Sequence, residues 1–130
     1  MIVDSSALVA ILEKEPDALR LVTAIARSPV RLLPATCFLE ASMILLRRRE
    51  EAGLRDLDSY VGRSRMEIVP FTETNARLAR EAFKRYGKGR HPAKLNFGDC
   101  MAYALARETG EELLFKGTDF AQTDVVVAAY

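Results

Sequence analysis

Apolar residues along this chain follow two rhythms: short blocks that suit buried strands, and longer blocks recurring every three or four positions that suit helices. Ile2 and Val3 form the first short block. Asp4-Ser5-Ser6 then supply capping residues ahead of Leu8, Val9, Ile11 and Leu12, which predicts a strand handing over to a helix. Pro16 and Asp17 open a second helix carrying Leu19, Val22, Ile25 and Ala26, and Ser28-Pro29 stops it. A second strand is expected over 30–33. Pro34-Ala35-Thr36 turns it into a long helix reaching Gly53, whose charged run over 47–51 marks a solvated end. Leu54, Leu57, Tyr60 and Val61 define another amphipathic helix over 54–64, followed by a third strand over 68–71 and a helix over 72–86. Residues 87–92, with Gly87, Gly89 and Pro92 among basic side chains, read as a mobile loop. Asn96 caps a helix that carries Met101, Ala102, Leu105 and Ala106 and ends at Gly110. A fourth strand over 113–115, a loop over 116–123 and a possible fifth strand over 125–127 follow.

Strands alternating with helices imply right-handed crossovers and a parallel sheet covered on both faces. The expected fold class is therefore α/β, a three-layer α/β/α arrangement around a mostly parallel sheet of four or five strands. No internal repeat, low-complexity segment or linker divides the sequence, so its 130 residues are expected to form one domain over 1–130. Apolar residues at 49% and charged residues at 28% give the balance of an ordinary globular protein and exclude a disordered one.

Charge changes the picture locally rather than globally. The net charge of +1 conceals basic clusters over 47–49 and 84–94, so the total does not exclude a nucleic-acid partner. Cys37 and Cys100 lack zinc or redox spacing and are too few for a disulfide framework, which makes a reducing cytoplasm the simpler expectation. The first residues offer no basic n-region or long apolar run, and no stretch is long and apolar enough for a bilayer, so neither a signal peptide nor a membrane partner is expected.

Candidate chemistry lies in four acids at the ends of short strands or the starts of helices. Asp4 follows the first strand, where an N-cap explains it equally well. Glu40 has Thr36, Cys37, Met43 and Ile44 as helical neighbours, so its carboxylate projects from a mostly apolar face toward either the helix start or a ligand. Asp99 stands three residues after Asn96 and could complete a capping box; Asp119 occupies a turn after the fourth strand. Jointly they say more than singly, because the crevice beyond the carboxyl ends of a parallel sheet is where ligands bind. Carboxylates about 6 Å apart repel by roughly 3 kcal/mol per pair at an effective dielectric near 20. A cluster of four must therefore take up protons or hold a cation, and an all-oxygen donor set suits Mg²⁺ or Mn²⁺. Such a cation activates water and offsets charge on a phosphoryl oxygen, as phosphodiester hydrolysis requires. Ser5, Ser6 and Thr118 are placed to orient carboxylates or waters, with capping and turn formation an equally good account of them.

Lys84, Arg85, Lys88, Arg90, His91 and Lys94 precede Asp99 closely enough to hold RNA phosphates beside the acids, with Tyr86 and Phe97 as candidate stacking surfaces and Lys116 as a further phosphate contact. A solvated loop is the plainer account of the same residues. His91 has no evident Ser or Cys partner and is assigned no catalytic role. Cys37 and Cys100 are expected as small buried hydrophobes.

Four segments together carry a resemblance. Met-Ile-Val-Asp-Ser-Ser-Ala-Leu at the start, Phe-Leu-Glu-Ala at 38–41, Asn-Phe-Gly-Asp-Cys-Met-Ala-Tyr-Ala-Leu-Ala at 96–106 and Leu-Leu-Phe-Lys-Gly-Thr-Asp-Phe at 113–120 resemble, in order and spacing, a PIN domain, and more narrowly the VapC toxins of bacterial toxin-antitoxin pairs. The resemblance implies a parallel sheet flanked by helices, Mg²⁺- or Mn²⁺-dependent endoribonuclease activity on RNA, inhibition by a VapB-type antitoxin, and a homodimer. It sets Asp4, Glu40, Asp99 and Asp119 on the family's acidic positions, with Asp4 and Asp99 the expected direct metal ligands. Ser6 matches the small polar residue after the first acid, and Thr118 stands where some relatives carry an additional polar or acidic residue. Two rivals remain at the level of residues: a binding module whose acidic pocket captures a basic partner side chain, and a phosphoacceptor domain, which the order of motifs disfavours.

Overall fold

A computed structural model describes residues 1–130. Its strands are β1 (Ile2–Val3), β2 (Leu32–Pro34), β3 (Glu67–Val69) and β4 (Leu113–Leu114). Its helices are α1 (Ser5–Leu12), α2 (Ala18–Arg27), α3 (Ala35–Arg63), α4 (Glu73–Tyr86) and α5 (Phe97–Thr109), and a 3-10 turn covers Asp119–Gln122. The sheet runs β3-β2-β1-β4 with every pair parallel, Ile2 lying between Leu32 and Leu113. This is the α/β fold with a parallel sheet that the alternation of elements predicts.

Strand order places the site. The chain steps outward from β1 through β2 to β3, then returns to put β4 on the other side of β1, so the order reverses between β1 and β4. At such a reversal the connecting loops diverge and leave a crevice beyond the strand ends. Asp4 leaves β1 there, its amide bonded to the Leu114 carbonyl of β4 at 2.9 Å. Beneath the crevice, Ile2, Val3, Leu8, Leu33, Leu45, Leu113 and Leu114 belong to a continuous core of 32 buried residues. No helix is long and apolar enough to cross a membrane.

Several boundaries differ from expectation, each for a tertiary reason. β2 begins at Leu32 rather than 30, because the Val30 carbonyl is taken by the Met1 amino group and the Ser28 hydroxyl, while the Arg31 guanidinium caps the end of α2 at Ile25 and Ala26. β3 is Glu67–Val69 rather than 68–71, since pairing with Leu32 sets its start and Pro70, lacking an N–H, ends it. The fifth strand over 125–127 shrinks to a single parallel bridge between Leu113 and Val127, as β4 offers only two residues to pair with.

The long helix expected to reach Gly53 breaks at Glu50, where φ 52° and ψ −147° leave helical space. Gly53 instead lets the second arm of α3 fold back closely: a Cβ there would meet the Leu45 carbonyl oxygen at 2.6 Å. Residues 87–92 are not a free loop. Backbone bonds join Lys88 to Leu95, Arg90 and His91 to Gly87, and Leu95 to Tyr86, while Ala93 and Leu95 are buried and the His91 ring stands edge-on to Tyr86.

Candidate active site

Asp4 is both a cap and a buried acid. Its Oδ2 accepts the Ser6 amide at 2.9 Å and the Ser6 hydroxyl at 2.5 Å, which caps α1, and its Oδ1 accepts the Cys37 thiol, 3.7 Å away. The residue is 3% exposed. Burial pushes its carboxyl above the ordinary value, against the pull of the Ser6 hydroxyl and the Ser6 and Ser5 amides. Burial likewise pushes the Cys37 thiol well above its usual value, with the charges of Asp4 and Glu40 adding to the rise, so it stays protonated. The Ser6 oxygen in turn accepts the Lys116 amide at 2.9 Å, so one hydroxyl joins the end of β1 to the segment leaving β4.

Glu40 reaches the same place from the first arm of α3. The Ser5 hydroxyl donates to its Oε2 at 2.8 Å, and the first turn of α5 lies against it: a Cβ on Gly98 would come within 2.6 Å of that oxygen. Only glycine leaves this carboxylate its space.

Asp99 is fixed by the capping box that its spacing from Asn96 suggests. The Asn96 amide donates to Asp99 Oδ2 at 2.7 Å, and the Asp99 amide to Asn96 Oδ1 at 2.9 Å. Burial pushes its carboxyl up to about 6, with the Asn96 amide opposing and the charges of Asp4, Asp119 and Glu40 adding to the rise. All three other acids are thus near enough to be felt at Asp99. Asp119 arrives from the 3-10 turn, which Phe120 anchors in the core with its ring 4.9 Å from that of Phe115. Gly117, at φ 119°, makes the preceding bend.

The crevice gathers the four acids within electrostatic reach, but no three Asp, Glu, His or Cys side chains already converge as a metal cage. Asp4 and Glu40 are held by Ser6 and Ser5, and Asp99 by its own helix start. The donor chemistry nonetheless fits a hard divalent cation: the acids present oxygen only, carry repelling charges, and lie near the Thr36 hydroxyl, which is buried without a partner one helical turn before Glu40. Alongside runs an apolar cleft of about 740 Å³ whose lining includes Leu39, Glu40, Met43, Phe97 and Met101.

Of the basic residues, Lys88, Arg90 and Lys94 are exposed and form no ion pair, as an RNA contact requires. Arg85 is already bonded to Asp124 and stacked on Tyr86, and Lys116 is paired with Glu15. Tyr86 is buried and offers no face to a base, whereas Phe97 is 80% exposed. Thr118 is exposed at the start of the 3-10 turn and caps nothing with its side chain. Gly98 and Asp124 escaped sequence reasoning. Gly98 adjoins Asp99 in the Asn-Phe-Gly-Asp segment, yet nothing in that spacing announces that residue 40 will press against it.

Comparison with known proteins identifies the family. The PIN domain family model matches residues 1–126. A VapC ribonuclease of Mycobacterium bovis is 43% identical over 129 residues, covering 99% of this chain and 98% of that protein. A ribonuclease VapC of Mycolicibacterium smegmatis is 48% identical over 125 residues, covering 96% and 97%. Among solved structures, the fold is similar to that of Mycobacterium tuberculosis VapC20, described as a sarcin-ricin loop cleaving toxin, with TM-score 0.79, 18% identity and 98% of both chains covered. It is similar too to VapBC2 of Rickettsia felis, solved bound to a DNA fragment from their promoter, with TM-score 0.74, 16% identity and coverage of 97% and 94%. An acid-lined crevice at the sheet's reversal point, a family match along nearly the whole chain and relatives above 40% identity lead to one conclusion: the chain belongs to the PIN-domain family, among the VapC ribonucleases.

Proposed function

We propose that this protein is a divalent-metal-dependent endoribonuclease, the toxin of a VapBC-type pair, hydrolysing RNA phosphodiester bonds and inhibited by a cognate VapB-type antitoxin in the cytoplasm. The observation that carries the activity is the crevice at the β1–β4 reversal, to which the end of β1 brings Asp4, α3 brings Glu40, the first turn of α5 brings Asp99 and the 3-10 turn brings Asp119. Asp4 and Asp99 would hold Mg²⁺ or Mn²⁺, with Glu40 and Asp119 completing the set. When bound, the cation supplies water activation and charge compensation at the phosphate. Ser6 and Ser5 keep Asp4 and Glu40 in place, and the capping box keeps Asp99 aimed into the crevice. Lys88, Arg90 and Lys94 hold RNA phosphates, and exposed Phe97 is a stacking surface at the entrance.

The test is cleavage of RNA with Mg²⁺ or Mn²⁺ by wild type and Asp99→Asn. The variant should fold and lose activity by at least about 10²-fold; an undiminished rate would remove Asp99 from the mechanism.

The antitoxin and a second copy are the expected protein partners. Leu39 and Met43 are exposed apolar side chains on one helix, and each copy would bring the same pair to a two-fold contact. Sedimentation should show a dimer that Met43→Lys shifts toward monomer. A binding module remains the second reading, because the Thr36 hydroxyl, one helical turn before Glu40, is buried without a partner that an incoming basic side chain could supply. Calorimetric titration with Mn²⁺ separates the two: no heat at millimolar cation favours the module.

A further inference from the structure

Five residues beyond Asp119, a second polar cluster lies outside the acidic crevice. Tyr103 is buried on α5, one helical turn after Asp99, and its hydroxyl donates to Asp124 Oδ1 at 2.7 Å. Arg85, at the end of α4, donates to Asp124 Oδ2 at 3.2 Å, and Arg107 on α5 approaches the same oxygen at 3.8 Å. Arg85 also lies over the Tyr86 ring, 4.9 Å from its centroid; Tyr86 packs on Tyr103 at 5.8 Å and on His91 at 5.1 Å. The carboxylate therefore meets three donors from two helices, and its position in sequence puts it at the far end of the turn that carries Asp119.

The flanks of that turn are tied, by the Lys116 amide on Ser6 and by the backbone bonds of Leu113 to Val126 and Ala128, but the turn between them has few anchors of its own. Phe120 is its one buried side chain, Gly117 bends at positive φ, and Asp119 and Thr118 are exposed. Between those tied flanks, with Phe120 as the one anchor inside, the backbone around Asp119 has room to shift unless Asp124 is also held.

We propose that Asp124 is a positioning residue: by taking the Tyr103 hydroxyl and the Arg85 guanidinium on its two oxygens, it locks the turn carrying Asp119 to α5, the helix carrying Asp99, and to the root of the basic loop. The idea rests on the reading of the crevice as the reaction site. It assigns Asp124 no contact with substrate.

The test uses Tyr103→Phe and Asp124→Ala in the full chain. Each leaves the core filled: the first removes only a hydroxyl, and the second acts at a side chain that is 34% exposed, where water replaces the lost bonds. Amide hydrogen exchange over 117–123 should quicken by about tenfold in both while exchange in α1 stays unchanged. Turnover of RNA should fall by about tenfold in both, and in Tyr103→Phe, which leaves the Arg85–Asp124 pair in place, KM should alter less than about twofold, because the misplaced group acts on the reaction and not on binding. In an Asp119→Asn background Tyr103→Phe should add nothing further, whereas a merely structural role would lower activity equally in both backgrounds. Unchanged exchange over 117–123, or a full additional loss in the Asp119→Asn background, would overturn the proposal. The exchange measurement needs no catalysis, so a wild type that failed to cleave RNA would defeat the ribonuclease reading and leave the anchoring role of Asp124 still decided.

Discussion

Asp99 is the residue at which the crevice's electrostatics are most legible. Its ordinary carboxyl value of 3.8 rises to about 6 on folding. The folded chain therefore binds the Asp99 proton more tightly than the unfolded chain does, and the stability that this difference provides is present on the acid side and lost as pH climbs from 3.8 through about 6. In cation-free buffer, Asp99→Asn should melt a few degrees above wild type at pH 8 and level with it at pH 4. Added Mn²⁺ should close the gap at pH 8 by raising the wild type alone; equal shifts in both proteins would count against Asp99 as a ligand. Gly98 makes the complementary prediction. Alanine there drives a Cβ against the Glu40 carboxylate, the free end of a flexible side chain, so stability should hold while turnover drops by about tenfold. A comparable loss of melting temperature would instead mean that the helices had separated. The four acids were readable in sequence because each sits beside a strand end or helix start. Gly98 was not, because its constraint comes from a carboxylate on another helix.

At the scale of elements, helix existence was readable throughout and helix continuity was not. The run over 47–51 correctly marked a solvated end, but the break falls at Glu50 and not near Gly53, since tight packing of Gly53 on Leu45 dictates where the chain must turn. Glu50 pays for this with φ 52° and ψ −147°, a region essentially reserved for glycine. Its side chain is exposed, so Glu50→Gly should stabilise the fold by about 1 kcal/mol after allowing for glycine's greater freedom when unfolded. Chemical denaturation should show the midpoint moving up with its slope unchanged; a midpoint moving down would mean that the Glu50 side chain stabilises the fold more than its backbone strain costs. Strand limits failed for a related reason: blocks of two or three residues are paired only where a neighbour presents free backbone groups, and Val30 had already given its carbonyl to Met1 and Ser28.

Across the whole molecule, one charge balance conceals two opposed surfaces. The crevice is acidic, and the ordered loop beside α5 carries Lys88, Arg90 and Lys94 free of partners. RNA held by those three should lose affinity when all are changed to Ala, and the slope of log affinity against log salt should shrink by about two, as expected for three fewer contacts to a single strand. An unchanged slope would move the RNA elsewhere on the surface. Composition could not have shown this, because the net charge of +1 sums both faces. The mobile loop expected over 87–92 proved to be a clamped one, and burial of Ala93 and Leu95 beneath it is a contact that glycine and proline content does not report.

The Ser6 hydroxyl donates a hydrogen bond to Asp4 and accepts one from the Lys116 amide, so it links the first acid to the exit of the last strand through two hydrogen bonds. Linked bonds of this kind polarise one another. A cation drawing electron density from Asp4 would weaken the carboxylate as an acceptor, leave the Ser6 oxygen less electron-rich, and loosen its hold on the Lys116 amide proton. That proton is then a spectroscopic reporter of occupancy: in a titration with Mg²⁺ its NMR resonance should move upfield, and in Ser6→Ala it should no longer respond.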